Sequence, residues 1–189
     1  MGFFDALLGG RRKLSGPAPD RLFAMSTAYV ALETGLNIKP RGSAGLVFQP
    51  LGTADFESLM KETEELLASA ASETGTETST HVDEYGYRWA ILRDPDFEDI
   101  VVAVNTVSTQ LDSGGYGDRL LCAVFAFEEN GKPIYWIYNY KRGTFYPFVP
   151  TSKQQRDSER EFRLKAQMAD ELPLEQELGR DLPLWDIPI

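Results

Sequence analysis

Apolar positions along the chain alternate between two periods, and the changes of period divide it into elements. Leu22, Met25, Tyr29 and Leu32 recur at three- and four-residue spacing, which predicts a helix with Asp20 as its N-cap and Gly35 as its stop. Residues 45–49 read as a short strand. Gly52-Thr53 opens a second helix that turns Phe56, Leu59, Met60, Leu66 and Leu67 inward and leaves an acidic outer face. Residues 69–80 are polar and threonine-rich, a linker or an edge strand, and 85–93 reads as a strand. Asp94-Pro95 combines a capping acid with a proline suited to a first helical turn. Phe97, Ile100, Val101, Val104, Val107, Ser108 and Leu111 then trace one face of the clearest helix in the chain, which Ser113-Gly114-Gly115 ends.

The second half is strand-rich. Residues 119–127 and 133–140 flank Asn130-Gly131, and Asn-Gly between two apolar runs is a strong hairpin signal because both residues accept positive φ. A further strand is predicted at 144–148, and Pro147, which lacks an N–H for an inner ladder, puts it at a sheet edge or marks its end. Residues 151–168 read as a charged helix. From residue 173 onward Pro173, Pro183 and Pro188 predict an extended tail lying on the body, with Trp185 as its anchor. Helices and strands mix without regular β-α-β alternation. The expectation is therefore an α+β fold, an antiparallel or mixed sheet of about five strands with helices mainly on one face. The organisation read from the chain is a leader at 1–19, one domain at 20–172 and the tail at 173–189.

Charge refines this division. The net charge is −10, but residues 1–21 carry +2, so the remainder carries −12. An acidic body repels nucleic acid and anionic lipid, while the small basic leader attracts both. In the leader, Phe3, Phe4, Leu7 and Leu8 fall on one helical face, followed by Arg11, Arg12 and Lys13, the make-up of a weak interfacial anchor. The apolar stretch precedes the cations and is short, unlike a signal peptide, and no run approaches the roughly 20 apolar residues needed to span a bilayer. The expectation is a cytoplasmic body, peripheral to the inner face of the membrane. The single cysteine, Cys122, excludes an internal disulfide and lies in an apolar strand, where it reads as an inert thiol.

Catalytic and ligand-binding patterns are weak. Asp94, Asp96, Glu98 and Asp99 lack the glycine and distant glutamate of a calcium loop and read as acids favoured at a helix N-terminus. His81 is the sole histidine and stands in a polar stretch. Gly114, Gly115 and Gly117 come after a helix instead of before one, the wrong polarity for a phosphate cradle. The chain is read as non-enzymatic, without cofactor or metal.

One stretch stands out. In 138–150 the aromatics Tyr138, Tyr140, Phe145, Tyr146 and Phe148 surround the basic pair Lys141-Arg142, and aromatics with arginine are enriched at interface hot spots. Tyr140, Lys141, Arg142 and Tyr146 are therefore candidates for partner docking. Lys141 and Arg142 are taken as solvated turn residues and Arg142 as free to act outward, though the aromatics also suit a core strand. This stretch resembles the corresponding part of the bacterial PspA-associated PspAB family. So do residues 1–13, 84–93, 110–122 and 170–180. The resemblance implies association with a PspA-like protein in membrane-stress maintenance and implies no reaction. A second reading is a small acidic chaperone of the secretion-chaperone type, which would expose an apolar groove and form a homodimer.

Overall fold

The computed structural model describes residues 19–152 and 154–189. The chain begins with a single helical turn, α1 (Pro19–Leu22), and a helix, α2 (Met25–Leu36). The expected continuous helix is thus broken at Phe23-Ala24, and Ala24 offers no side-chain cap to α2. Then come β1 (Lys39–Phe48), α3 (Ala54–Thr74), β2 (Glu77–Val82), β3 (Arg88–Arg93) and α4 (Phe97–Leu111). β4 (Leu120–Glu129), β5 (Lys132–Asn139) and β6 (Thr144–Phe148) form a meander, succeeded by β7 (Pro150–Ser152), β8 (Gln155–Arg156) and α5 (Ser158–Gln167).

The fold is α+β. Six strands form one antiparallel sheet in the order β2-β3-β1-β4-β5-β6, and β7 and β8 make a small second sheet. The β4–β5 hairpin turns at Asn130 (φ 51°) and Gly131 (φ 76°), the left-handed pair that its sequence predicts. β6 is an edge strand, as Pro147 requires, with Pro147 opposite Trp136. The strand expected at 45–49 is longer, because β1 pairs with β3 on one side and β4 on the other and absorbs a bulge after Pro40.

The helical layer lies on one face. α4 buries Phe97, Ile100, Val101, Val104, Val107 and Leu111 against Leu46, Phe125, Phe127 and Trp136 of the sheet. Each large side chain buried there stabilises the fold by about 1.5–3 kcal/mol. The cap of α4 is Asp96, whose carboxylate accepts the Glu98 N–H at 2.9 Å. Asp94, the expected cap, is buried one step earlier. It accepts the Thr76 hydroxyl at 2.6 Å and the Asp96 N–H at 2.8 Å, so it ties the start of β2 to the entry of α4.

The helix expected at 151–168 is only α5. Gln154 takes the left-handed conformation (φ 54°), which turns the chain into the β7–β8 hairpin, and the helix waits for Asp157, whose carboxylate caps the Arg160 N–H at 2.9 Å. The opposite face of the sheet carries Val47, Trp89, Ile91, Val124, Ile137 and Phe148. The segment with Leu184, Trp185, Ile187 and Ile189 packs over it. Gly45 makes this possible. A Cβ there would lie 2.8 Å from the Trp89 ring and 3.7 Å from Ile189.

Candidate interaction site

Residues 138–150 hold the β5–β6 hairpin. Asn139 builds its turn: its carbonyl accepts the Gly143 N–H at 2.8 Å and its side-chain oxygen the Lys141 N–H at 3.1 Å. The turn carries Arg142 to the outer edge of β6, where the chain returns at 173–177. There Phe145 and Leu174 form a parallel bridge. The Phe145 N–H donates to the Pro173 carbonyl and the Glu175 N–H to the Phe145 carbonyl, both at 2.8 Å.

Arg142 locks this return. Its Nε and Nη2 both donate to the Glu175 carboxylate, Nη2 at 2.9 Å, and Nη2 also reaches Glu177 at 2.9 Å. Glu175 accepts two further bonds, from the Thr144 hydroxyl at 3.1 Å and the Glu177 N–H at 3.0 Å. Burial alone would raise the Glu175 pKa. The Arg142, Glu177 backbone and Thr144 hydrogen bonds outweigh it and hold the carboxyl down to about 2. The same bonds to Glu175 and Glu177 raise the Arg142 pKa above its ordinary value.

A second clamp lies further along the chain. Arg156 pairs with buried Glu161 at 2.7 Å and donates to the Asp181 carbonyl at 2.7 Å, while Lys165 meets the Asp181 carboxylate at 2.8 Å. The Tyr146 hydroxyl donates to the Leu182 carbonyl at 3.0 Å. Beyond it the Trp185 ring stands edge-on to Phe148, with centroids 5.2 Å apart, and the Arg156 guanidinium lies over the Phe148 ring, 5.3 Å from its centroid. Residues 173–189 are thus a strap, tied by ion pairs along its first half and by apolar contacts along its second.

These contacts decide where the candidate docking residues stand. Tyr140 is buried against Tyr138, with ring centroids 5.1 Å apart, and Tyr146 is buried beneath the strap. Burial raises the pKa of both phenols. Neither ring is open to a partner, which corrects the docking role expected of them. Arg142 is held by two carboxylates, which corrects the expectation of a free cation. Lys141 alone of the four is exposed with a side chain that makes no ion pair or hydrogen bond among the described residues. Phe3, Phe4, Leu7, Leu8, Arg11, Arg12 and Lys13 lie outside the described residues. Cys122 is only partly exposed, and burial of its thiol pushes the pKa up to about 12.

Over residues 1–189 the sequence matches PspAB, PspA associated protein B. The chain belongs to the PspAB family. Neither a curated protein nor a solved structure matches it. Two of the segments that carry the PspAB resemblance, 138–150 and 170–180, are the two halves of the Arg142 clamp, brought together across the edge of β6. Among the described residues of this PspAB chain no helix is long and apolar enough to cross a membrane, and no cluster of His, Cys, Asp and Glu is arranged to hold a metal ion.

Sequence reasoning missed the acidic partners Glu175 and Asp181. Both lie in the proline-bounded tail, where no local period marks a buried acid. Their only sequence signal is that Glu175 directly succeeds Leu172 and Leu174, an alternation that suits pairing with an edge strand.

Proposed function

We propose that the chain is a non-enzymatic adaptor that associates with a PspA-like protein at the cytoplasmic face of a stressed membrane. The observation that carries this reading is the PspAB family match over 1–189, a family described by its association with PspA. The geometry supports it, because Arg142, Glu175, Arg156 and Asp181 are engaged with one another in holding the strap and do not converge on an open cleft. In this reading Phe3, Phe4, Leu7 and Leu8 contact the membrane or the partner, and Arg11, Arg12 and Lys13 favour an anionic surface by about 1 kcal/mol each. The acidic body stays away from that surface, so the leader acts as a tether. Lys141 adds an exposed cation at the hairpin tip.

Affinity capture from envelope-stressed cells tests the reading. The intact chain should recover a PspA-like protein, and a chain without residues 1–13 should recover less of it from the membrane fraction. Equal absence of that protein from both captures, with purified PspA-like protein also failing to bind, would sink the proposal.

A further inference from the structure

The two edges of the six-stranded sheet are finished differently. β6 carries a proline and is capped by the strap through the Phe145–Leu174 bridge. β2, at the other edge, has no proline, and every one of its residues is exposed. Natural sheets usually blunt an open edge with proline, lysine, a bulge or a covering segment, because unpaired N–H and C=O groups template a further strand. Glu77–Val82 has none of these among the described residues.

The phase of the edge is fixed by its turn. The Asp83 N–H donates to the Tyr87 carbonyl, and His81 faces Trp89 in the register that continues from it. In an antiparallel ladder bonded residues alternate, so Glu77, Ser79 and His81 bond to β3. Thr78, Thr80 and Val82 therefore turn their backbone groups outward. On the helical side, Thr78 and Thr80 border a groove of about 350 Å³ beneath α3. Its apolar walls are Met60, Leu67, Ala90 and Leu92. Glu64 stands at its rim with no cationic partner among the described residues. Alternate side chains of an added strand would enter this groove. Val82 and Tyr85, exposed by 57% and 74%, extend the surface to the hairpin tip.

Charge selects the occupant. α3 presents Asp55, Glu57, Glu62, Glu64 and Glu65 against Lys61 alone. Of the two β3 cations, Arg88 on the α3 face is already bound to Glu57 at 3.1 Å, and Arg93, whose side chain alternates to the opposite face, donates to Ser79 of β2 at 3.5 Å, away from the groove. A second copy of the chain would set two such acidic helices side by side, in bodies that each carry net negative charge. A basic segment meets no such repulsion.

We propose that the β2 edge is a docking site for an extended, lysine- or arginine-bearing aliphatic segment of a partner protein, which joins the sheet as a seventh strand with its aliphatic side chains beneath α3. This site stands on the edge, the groove and the charge of α3, whether or not the partner is PspA-like.

The test uses the intact chain and two blocked hexapeptides, one alternating lysine and valine, the other glutamate and valine. Amide exchange is monitored residue by residue. The lysine peptide should slow exchange of Thr78, Thr80 and Val82 at least tenfold in a saturable manner, and the glutamate peptide should not. Thr80→Pro removes an outward N–H without touching the β3 ladder, so it should abolish the slowing at Thr78 and Val82 and leave the melting temperature nearly unchanged. A lysine peptide N-methylated on its pairing edge, applied to the native chain, should also fail, which keeps the test valid if Thr80→Pro does not fold. Equal protection by both peptides, or by the N-methylated one, overturns the proposal. So does protection that rises with protein concentration alone, since the occupant would then be a second copy.

Discussion

Glu175 is buried to 2% exposure beside a guanidinium, and this gives the strap a specific response to acid. Its folded pKa, about 2, lies below the ordinary glutamate value of about 4.3, so its charge stabilises the fold above that value. That contribution should fade as pH falls from about 4.3 towards 2. Melting temperatures measured across this range should fall less steeply in Glu175→Gln than in the parent chain. In Arg142→Ser the sign should invert. Glu175 would remain buried without its main partner, burial would raise its pKa, and mild acid would then stabilise the variant relative to neutral pH. A variant with the parent's acid profile would show that Arg142 does not govern this carboxyl. Cys122 gives a second residue-scale test. With its pKa pushed to about 12 by burial, the thiol should react with a disulfide reagent at near-neutral pH far more slowly in the native chain than in denaturant. Equal rates would mean that the strand around it opens freely.

The elements divide by how local their causes are. The β4–β5 hairpin is legible in the sequence because Asn130 and Gly131 carry the turn themselves, and α4 because seven inward positions repeat along one face. The cap of α4 stands later in the chain than Asp94-Pro95 suggests. Asp94 and Asp96 are equally good caps by type, and only Thr76, brought in by β2, draws Asp94 into a buried bracing role. Removing the cap in Asp96→Ala should cost about 1 kcal/mol. Asp94→Ala should cost more, about 1–3 kcal/mol, because the buried Thr76 hydroxyl and the Asp96 N–H lose their acceptor together. Urea denaturation of the two variants checks the order, and a larger loss in Asp96→Ala would reverse the assignment of roles. The β7–β8 turn is illegible, since it depends on Gln154 in a conformation that its residue type does not announce. The docking residues fail for the same reason at longer range. Arg142 and Tyr146 look available until residues 175–182 are placed over them, and Tyr140 until its ring is set against Tyr138 in the helical core; no pattern in 138–150 specifies the segments that cover it.

At the scale of the molecule the sheet is covered by unlike materials. One face is sealed by helices whose backbone bonds are internal, and the other by a strap with few backbone bonds of its own. The helical core includes Phe97, Phe125, Phe127 and Trp136 and takes Leu174 from the strap's first half but none of the buried residues of its second, so most of its cohesion survives loss of residues 173–189. That of the other face does not. Without the strap, Val47, Trp89, Val124, Ile137 and Phe148 would form a contiguous apolar surface open to water, the kind of patch that drives association. The edge of β6 would also lose its cap, leaving the sheet open at both ends. A chain ending at residue 172 should therefore keep most of its helical circular dichroism, bind a hydrophobic dye strongly and sediment as oligomers. Gly45→Leu provides a gentler form of the same experiment. Its side chain would strike the Trp89 ring and the seat of Ile189 while leaving the Arg142 clamp in place. It should raise dye binding without full association, because the ion-paired half of the strap still guards β6. A truncated chain that stays monomeric and dye-free would mean that the second face packs adequately alone, and the ion pairs at Glu175 and Asp181 would then fasten a segment that the fold does not require.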